Sequence, residues 1–233
     1  MVGTDPARVR TMFDRIAPVY DLMNTVMTAG IDGRWRRAAI AAAALRPGDR
    51  VLDVATGTGK LALGAATAVG ANGEVVGLDA SPRMLARARA AERGSAVRWL
   101  EADAMAMPFD DRSFDAVTIG FGLRNLPDTD AALHEMARVL RPGGRLVVLE
   151  IAEPPRGLAR LLFLTWFRRI VPFLGRLAGQ PVAYAYLPDS LRRYPRPDDV
   201  AARMGAAGLE AVRWRWLPTR LATVHVGRRT AAP

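Results

Sequence analysis

A chain of 233 residues with no cysteine and two histidines cannot build a disulfide scaffold, a zinc knuckle, an iron-sulfur cluster or a Cys nucleophile, and it suits a reducing interior. Half of it is hydrophobic and 24% is charged, enough to bury a core of its own, while no apolar run reaches the roughly 18 residues of a transmembrane helix and MVGTDPARVR lacks the apolar stretch of a secretory signal. The net charge of +10 is uneven: residues 1–155 hold 19 basic and 19 acidic side chains, residues 156–233 hold 14 and 4.

The first 46 residues read as helices. Asp5-Pro6 is a start signal, Val9, Met12, Phe13 and Ile16 recur at helical spacing, a second helix runs from Tyr20 to Met27 and a third from about Arg34 to Leu45. After the turn Arg46-Pro47-Gly48-Asp49 the pattern changes to short apolar runs separated by helix-length segments. Strands are expected at Val51–Val54, Val75–Leu78, Val97–Leu100, Ala116–Ile119 and Arg145–Leu149, with helices at 60–69, 81–92 and 129–141, the last stopped by Pro142-Gly143-Gly144. Such alternation predicts an α/β fold, a mostly parallel sheet with helices on both faces joined by right-handed crossovers. Beyond Ile151 come an apolar and basic stretch at 156–178, a loop rich in Pro and Tyr, a helix near 197–207 and two strands near 210–217 and 221–228. The last two have hairpin spacing and add antiparallel strands to the sheet edge.

The strand Val51-Leu52-Asp53-Val54 runs directly into Ala55-Thr56-Gly57-Thr58-Gly59, and Lys60 opens the next helix. Glycines at such a turn let a ligand approach the backbone outside the carboxyl end of the strand, where open α/β sheets bind ligands. The loop alone is ambiguous. Gly57-x-Gly59-x-x-Ala62 satisfies the dinucleotide fingerprint, with Asp79 suited to the ribose of NAD, whereas a P-loop fails because Leu61 follows Lys60 where Ser or Thr is needed. Three acids weigh toward a cationic ligand: Asp53 before the loop, Asp79 ending the second strand where it can accept two ribose hydroxyls, and Asp103 in Glu101-Ala102-Asp103-Ala104, able to accept from an exocyclic amine. A single Asp at a strand end is commonly a helix cap, but three at adjacent strand ends are hard to explain that way. The set resembles class I S-adenosylmethionine-dependent methyltransferases, whose sulfonium suits an acidic pocket better than a pyrophosphate does. That resemblance makes Asp53, Gly57, Thr58, Gly59, Asp79, Asp103 and Ala104 the expected cofactor residues and calls for no metal.

Further blocks narrow the resemblance. They are Met12-Phe13-Asp14-Arg15-Ile16-Ala17-Pro18-Val19-Tyr20-Asp21-Leu22-Met23-Asn24, Trp35-Arg36-Arg37, Phe121-Gly122-Leu123-Arg124-Asn125, Arg138-Val139-Leu140-Arg141-Pro142-Gly143-Gly144, Tyr184-x-Tyr186-Leu187-x-x-Ser190 and His225-x-Gly227. From about residue 8 to 228 the chain is similar to the menaquinone and ubiquinone biosynthesis C-methyltransferases (UbiE/MenG). The resemblance implies a Rossmann-like sheet of seven strands in one domain over 1–233, with a helical lid at 1–46, a cofactor-binding core at 47–152, and substrate- and membrane-facing helices with the C-terminal hairpin at 153–233. It implies methylation of a ring carbon of a prenylated quinol, as in demethylmenaquinol to menaquinol.

A quinol carbon becomes a good nucleophile when the neighbouring phenol loses its proton, which calls for a cation or hydrogen-bond donors at the developing oxyanion. Within the resemblance, Arg124 is expected as oxyanion stabiliser and Asn125 as orienting group, with Tyr20, Asp21 and His225 on the substrate side. Departures from the family pattern are Lys60, where members commonly have an acid, Gly120, where many have Ser, Glu150-Ile151-Ala152 in place of Glu-Phe-Ser, and Thr219-Arg220 in a turn that is usually Gly-rich; Gly120 and that last turn lie near the expected acceptor side and leave another small aromatic acceptor as the alternative. The expected partners are the quinol and, through the amphipathic stretch 156–178 with its Arg edge, anionic lipid at the inner face of the cell membrane, for an otherwise cytoplasmic protein. The competing reading of that stretch is packing on the sheet or on a second subunit, so a homodimer stays open. Nucleic acid is not an expected partner, since no Asn-Pro-Pro-Tyr-like motif is present.

Overall fold

The computed structural model describes residues 5–92, 94, 97–177 and 181–230; residues 1–4 of the expected lid and the last residue of the 156–178 stretch lie outside them. Three helices come first: α1 (Pro6–Ile16), α2 (Tyr20–Thr28) and α3 (Asp32–Ala43). Asp5 caps α1 by accepting from the Ala7 amide, and Ala29 and Ala44, both at positive φ, end α2 and α3 in left-handed turns. The core then alternates: β1 (Arg50–Val54), α4 (Lys60–Val69), β2 (Glu74–Asp79), α5 (Pro82–Ala91), β3 (Val97–Glu101), β4 (Phe114–Gly120), a 3-10 turn at Leu123–Asn125, α6 (Thr129–Arg138) and β5 (Leu140–Ile151). Next follow α7 (Leu158–Thr165), a π-helical turn at Trp166–Ile170, α8 (Val171–Leu177), α9 (Pro181–Arg193), α10 (Pro197–Ala206), β6 (Leu209–Trp216) and β7 (Ala222–Arg229).

The strands form one sheet in the order β3-β2-β1-β4-β5-β7-β6. The pairs from β3 to β5 are parallel, and β7 pairs antiparallel with both β5 and β6. Val51 to Val54 are all buried, as expected for a central strand covered on both faces. One face buries Leu52, Val54, Phe114 and Leu133 with Val200 and Met204 of α10. The other buries Trp35 and Ala39 of α3, Val147 and Leu149 of β5, and Phe163 and Phe167. Strand order reverses between β1 and β4, which opens a crevice at their carboxyl ends.

Two sequence expectations need correction. The helix expected to 141 stops at Arg138, and β5 begins at Leu140, so Pro142-Gly143-Gly144 lies within an irregular strand start whose register with β4 shifts between Phe114 and Ala116. The loop expected after 178 is helix α9. Pro181 opens it, where a missing N–H costs nothing, and Pro188 is carried inside.

Candidate active site

At the carboxyl edge of the sheet lie two adjoining cavities. The larger, about 700 Å³, is lined by strand ends: Ala55 and Gly57 after β1, Leu78 to Ser81 at β2, Glu101 to Ala104 at β3 and Gly120 to Gly122 at β4. Helix α1 covers it with Pro6, Ala7, Val9, Arg10 and Phe13, and Tyr20 adds a wall from α2. The smaller, about 60 Å³, shares Phe13, Tyr20, Phe121 and Asn125 with the first and is also lined by Asp32, Arg36, Arg124, Phe167 and Tyr186.

The glycine loop is shaped by two carboxylates. Asp53 is buried and accepts from the Thr56 hydroxyl at 2.6 Å and the Thr118 hydroxyl at 2.7 Å, tying the loop to β4. Burial pushes its pKa up to about 6 in spite of these bonds. Asp79 accepts from the Gly57 and Ser81 amides, each at 2.8 Å, and burial raises its pKa as well. Gly57 sits at φ 58°, a left-handed conformation that favours glycine. Gly59 is required for another reason: a Cβ there would stand 2.4 Å from Trp99 Cη2. Thr58 is buried and donates to Asp21 Oδ1 at 2.8 Å, with Lys60 Nζ 3.2 Å from the same oxygen, so α2 is latched to the loop. A parallel contact joins α1 to α5, where the Ser81 hydroxyl donates to Asp14 at 2.6 Å.

Around the smaller cavity the turn after β4 is locked in a strained shape. Phe121 has φ 61°, unusual for an aromatic residue, and its carbonyl accepts from Arg124 Nη1 at 2.9 Å and Asn125 Nδ2 at 3.2 Å. Arg124 also forms a buried ion pair with Glu150 of β5, their side chains 7% and 0% exposed. Burial raises the Glu150 pKa against the pull of Arg124. Arg124 Nε and Asn125 Oδ1 are buried with no protein partner.

A sequence model of the ubiE/COQ5 methyltransferase family matches residues 1–229. This chain belongs to that family. It is 52% identical over 222 residues to the demethylmenaquinone methyltransferase of Thermus thermophilus, covering 94% of this chain and 100% of that protein. It is 40% identical to the ubiquinone/menaquinone biosynthesis C-methyltransferase UbiE of Geobacter sulfurreducens, over 95% and 88% of the two chains. Among solved structures, the [4+2]-cyclase SpnF superposes with a TM-score of 0.74 at 20% identity over 100% of this chain and 98% of that one. A SAM-dependent methyltransferase from Thermotoga maritima reaches 0.67 at 19% identity over 95% and 100%. These two likenesses establish the fold.

As a ubiE/COQ5 methyltransferase the protein uses S-adenosylmethionine, and the larger cavity fits that cofactor. Asp79 keeps lone pairs beyond its two amide bonds for hydroxyl donors, Asp103 spends Oδ1 on the Met105 amide at 2.8 Å and retains Oδ2, and acidic strand ends suit a sulfonium. Gly57, Asp79, Asp103 and Ala104 line this cavity. Asp53, Thr58 and Gly59 line neither cavity and act on the loop from behind. Tyr20 and Asn125 line both cavities, and Arg124 lines the smaller. Asp21 faces Thr58 and Lys60 instead of a cavity. His225 also stands apart, fully buried on β7, stacked on Trp214 and bonded through Nε2 to the Pro197 carbonyl at 2.9 Å; burial lowers its pKa. Asp32 and Arg36 were missed as site residues, although Arg36 stands in a quoted family block, because nothing in a helical spacing tells which face meets a ligand. The α1 lining residues were missed individually for the same reason.

Proposed function

We propose that this enzyme converts demethylmenaquinol to menaquinol by methylating a ring carbon of the prenylated quinol. The observation that carries the reading is the full-length match at 52% identity to a demethylmenaquinone methyltransferase, supported by a second cavity that abuts the cofactor cavity at Tyr20, Phe121 and Asn125. S-adenosylmethionine supplies an electrophilic methyl group when bound. The chain's own part is to hold the cofactor on Asp79 and Asp103, exclude water with α1 and α2, and orient the quinol ring against Phe121. Arg124 Nε and Asn125 Oδ1 are placed to bond acceptor oxygens; with the Arg124 charge offset by Glu150, that guanidinium contributes a directed hydrogen bond more than net charge.

A greasy acceptor must be met at a lipid surface. Leu161, Leu162, Trp166, Ile170 and Phe173 are 62%, 61%, 36%, 37% and 52% exposed, and Leu22 and Val26 of α2 are 66% and 44% exposed. Trp166 Nε1 donates to the Met27 carbonyl at 3.1 Å, joining the two apolar faces beside Met27 and Phe167, which line the smaller cavity. Exposed Arg168 and Arg169 flank them. This supports peripheral docking on anionic membranes, with the prenyl tail leaving between α2 and the π-helical turn. No helix among the described residues is long and apolar enough to cross a membrane. The direct test incubates the purified protein with S-adenosylmethionine and demethylmenaquinol in mixed micelles and reads the product mass. A gain of one methylene is expected; none, with cofactor bound, would reject the quinol assignment.

A further inference from the structure

Asp32 and Arg36 are four residues apart on α3, so both project from the same face, and both line the smaller cavity. Asp32 is only 5% exposed, yet its contacts are long: the Thr28 hydroxyl at 3.3 Å from Oδ1 and Arg36 Nε at 3.5 Å from Oδ2. The Thr28 hydrogen has a nearer acceptor in the Asn24 carbonyl at 2.8 Å. Arg36 Nε is buried with no hydrogen-bond partner. Buried carboxylates and guanidinium donors are ordinarily satisfied, and leaving them otherwise costs stability. The Arg36 guanidinium lies 5.0 Å from the Phe121 ring centroid, and a Cβ built on Gly120 would stand 3.9 Å from its Nη1. It therefore reaches the end of β4, where the two cavities meet.

The pair across the cavity differs in kind. Glu150 does not line the cavity; it is 0% exposed and takes bonds from Arg124 Nη1 and from the Ile151 amide, so it cannot meet a ligand. Asp32 can.

We infer that Asp32 is the proton acceptor for the reacting hydroxyl of the acceptor and that Arg36 holds the resulting oxyanion. This rests on the phenolic acceptor proposed above. The hydroxyl proton moves to Asp32 and its electron pair stays on oxygen, enriching the adjacent ring carbon. Before the transfer the Asp32–Arg36 pair is neutral; after it, the Arg36 charge, shared only with the more distant Asp53 carboxylate of β1, faces the new negative one. When the methylated ring carbon gives up its hydrogen to solvent, the proton on Asp32 returns to the oxygen, so the pair is restored and one proton is released overall. The charged and titratable groups around the cavity are Arg36 from the same helix, Tyr20 from α2, Arg124 from the 3-10 turn with Glu150 behind it, and Tyr186 from α9.

The test has two arms, run on wild type, Asp32→Asn and Arg36→Met. First, a chromogenic nitronaphthol is titrated into protein saturated with S-adenosylhomocysteine, at a pH where the ligand is neutral in solution. Wild type is expected to bind it as the naphtholate, Asp32→Asn as the neutral naphthol, and Arg36→Met more weakly with little naphtholate. Second, turnover of demethylmenaquinol is followed across the neutral to alkaline range. Asp32→Asn should fall about a hundredfold or more near neutrality and recover about tenfold per pH unit as hydroxide takes over the ionisation. Should Asp32→Asn lose cofactor affinity, Asp32→Glu must restore naphtholate formation with cofactor bound. Naphtholate formation and turnover within about threefold of wild type in Asp32→Asn, or no restoration in Asp32→Glu, would overturn the pair. Wild type that forms naphtholate yet leaves demethylmenaquinol unmethylated would reject the acceptor assignment while sustaining the pair.

Discussion

Asp53 is a buried carboxylate whose ionisation the fold makes costly. Burial holds its pKa at about 6, above the usual carboxylate range, so the folded state binds the proton more tightly, and the stability this adds at low pH is lost as pH rises from about 4 through about 6. Ligand-free Asp53→Asn should therefore gain in melting temperature relative to wild type as pH is raised across that window, while binding S-adenosylmethionine more weakly; parallel melting curves would show instead that the carboxylate is ionised without penalty. Asp79→Ala removes a cavity-lining carboxylate and the anchor of the Gly57 amide together, so cofactor affinity should drop by roughly 10- to 100-fold in calorimetric titrations. His225, by contrast, is bound to Pro197 away from both cavities, so His225→Ala should keep turnover within about twofold and lose about 2 kcal/mol of stability in urea unfolding. A strong turnover defect at normal stability would return His225 to the site.

At the scale of elements, the decisive contacts are those that fasten the first two helices to the core. Asp21 binds Thr58 and Lys60, and Asp14 binds Ser81, so α1 and α2 are held beside the larger cavity through the same loops that shape it. Lys60, the one lysine of the chain, takes part in that fastening, which gives the departure from the family's usual acid a structural use. Asp21→Ala should speed cofactor dissociation by about tenfold in stopped-flow chase experiments with little change in melting temperature, since the ion pair is a third exposed. The block Arg138 to Gly144 proves to be scaffolding: Arg138 bonds the Met107 and Phe109 carbonyls, Asp111 and Glu135, fastening α6 to the connection between β3 and β4. Composition misled at α9, where two prolines and two tyrosines suggested a loop. One proline at a first turn and one inside do not prevent a helix when tertiary contacts support it, and α9 packs against α8.

For the molecule as a whole, part of the charge excess of residues 156–233, Arg168 and Arg169 among it, is exposed in the same helical stretch as the apolar residues Leu161, Leu162, Trp166, Ile170 and Phe173. Replacing Arg168 and Arg169 by Glu should reduce co-sedimentation with anionic vesicles several-fold at low salt, and replacing Leu161 and Phe173 by Ser should weaken binding to anionic and neutral vesicles alike. Vesicle binding indifferent to all four changes would assign the face to another contact. Phe167 of the same stretch is buried and lines the smaller cavity, so the exposed apolar face lies next to that cavity.

The alternation of apolar runs with helix-length segments was enough to set the α/β class and each core strand, because burial on both faces of a parallel sheet demands continuous apolar stretches that few other structures share. That Asp79 and Asp103 would stand at one cavity was legible as well, since strand ends at a switch point converge; Asp53 instead lies behind the loop, bonded to Thr56 and Thr118. Helices hide more. Arg124 and Glu150, 26 residues apart, meet only because β4 and β5 are neighbours, and that encounter turns an expected free cation into a neutralised pair. Asp32 and Arg36 reach the cavity, and His225 is turned away from it, through the rotation of a helix and the register of a hairpin. Those are decided by which side chains pack against the sheet, an outcome of the whole core and not of local spacing.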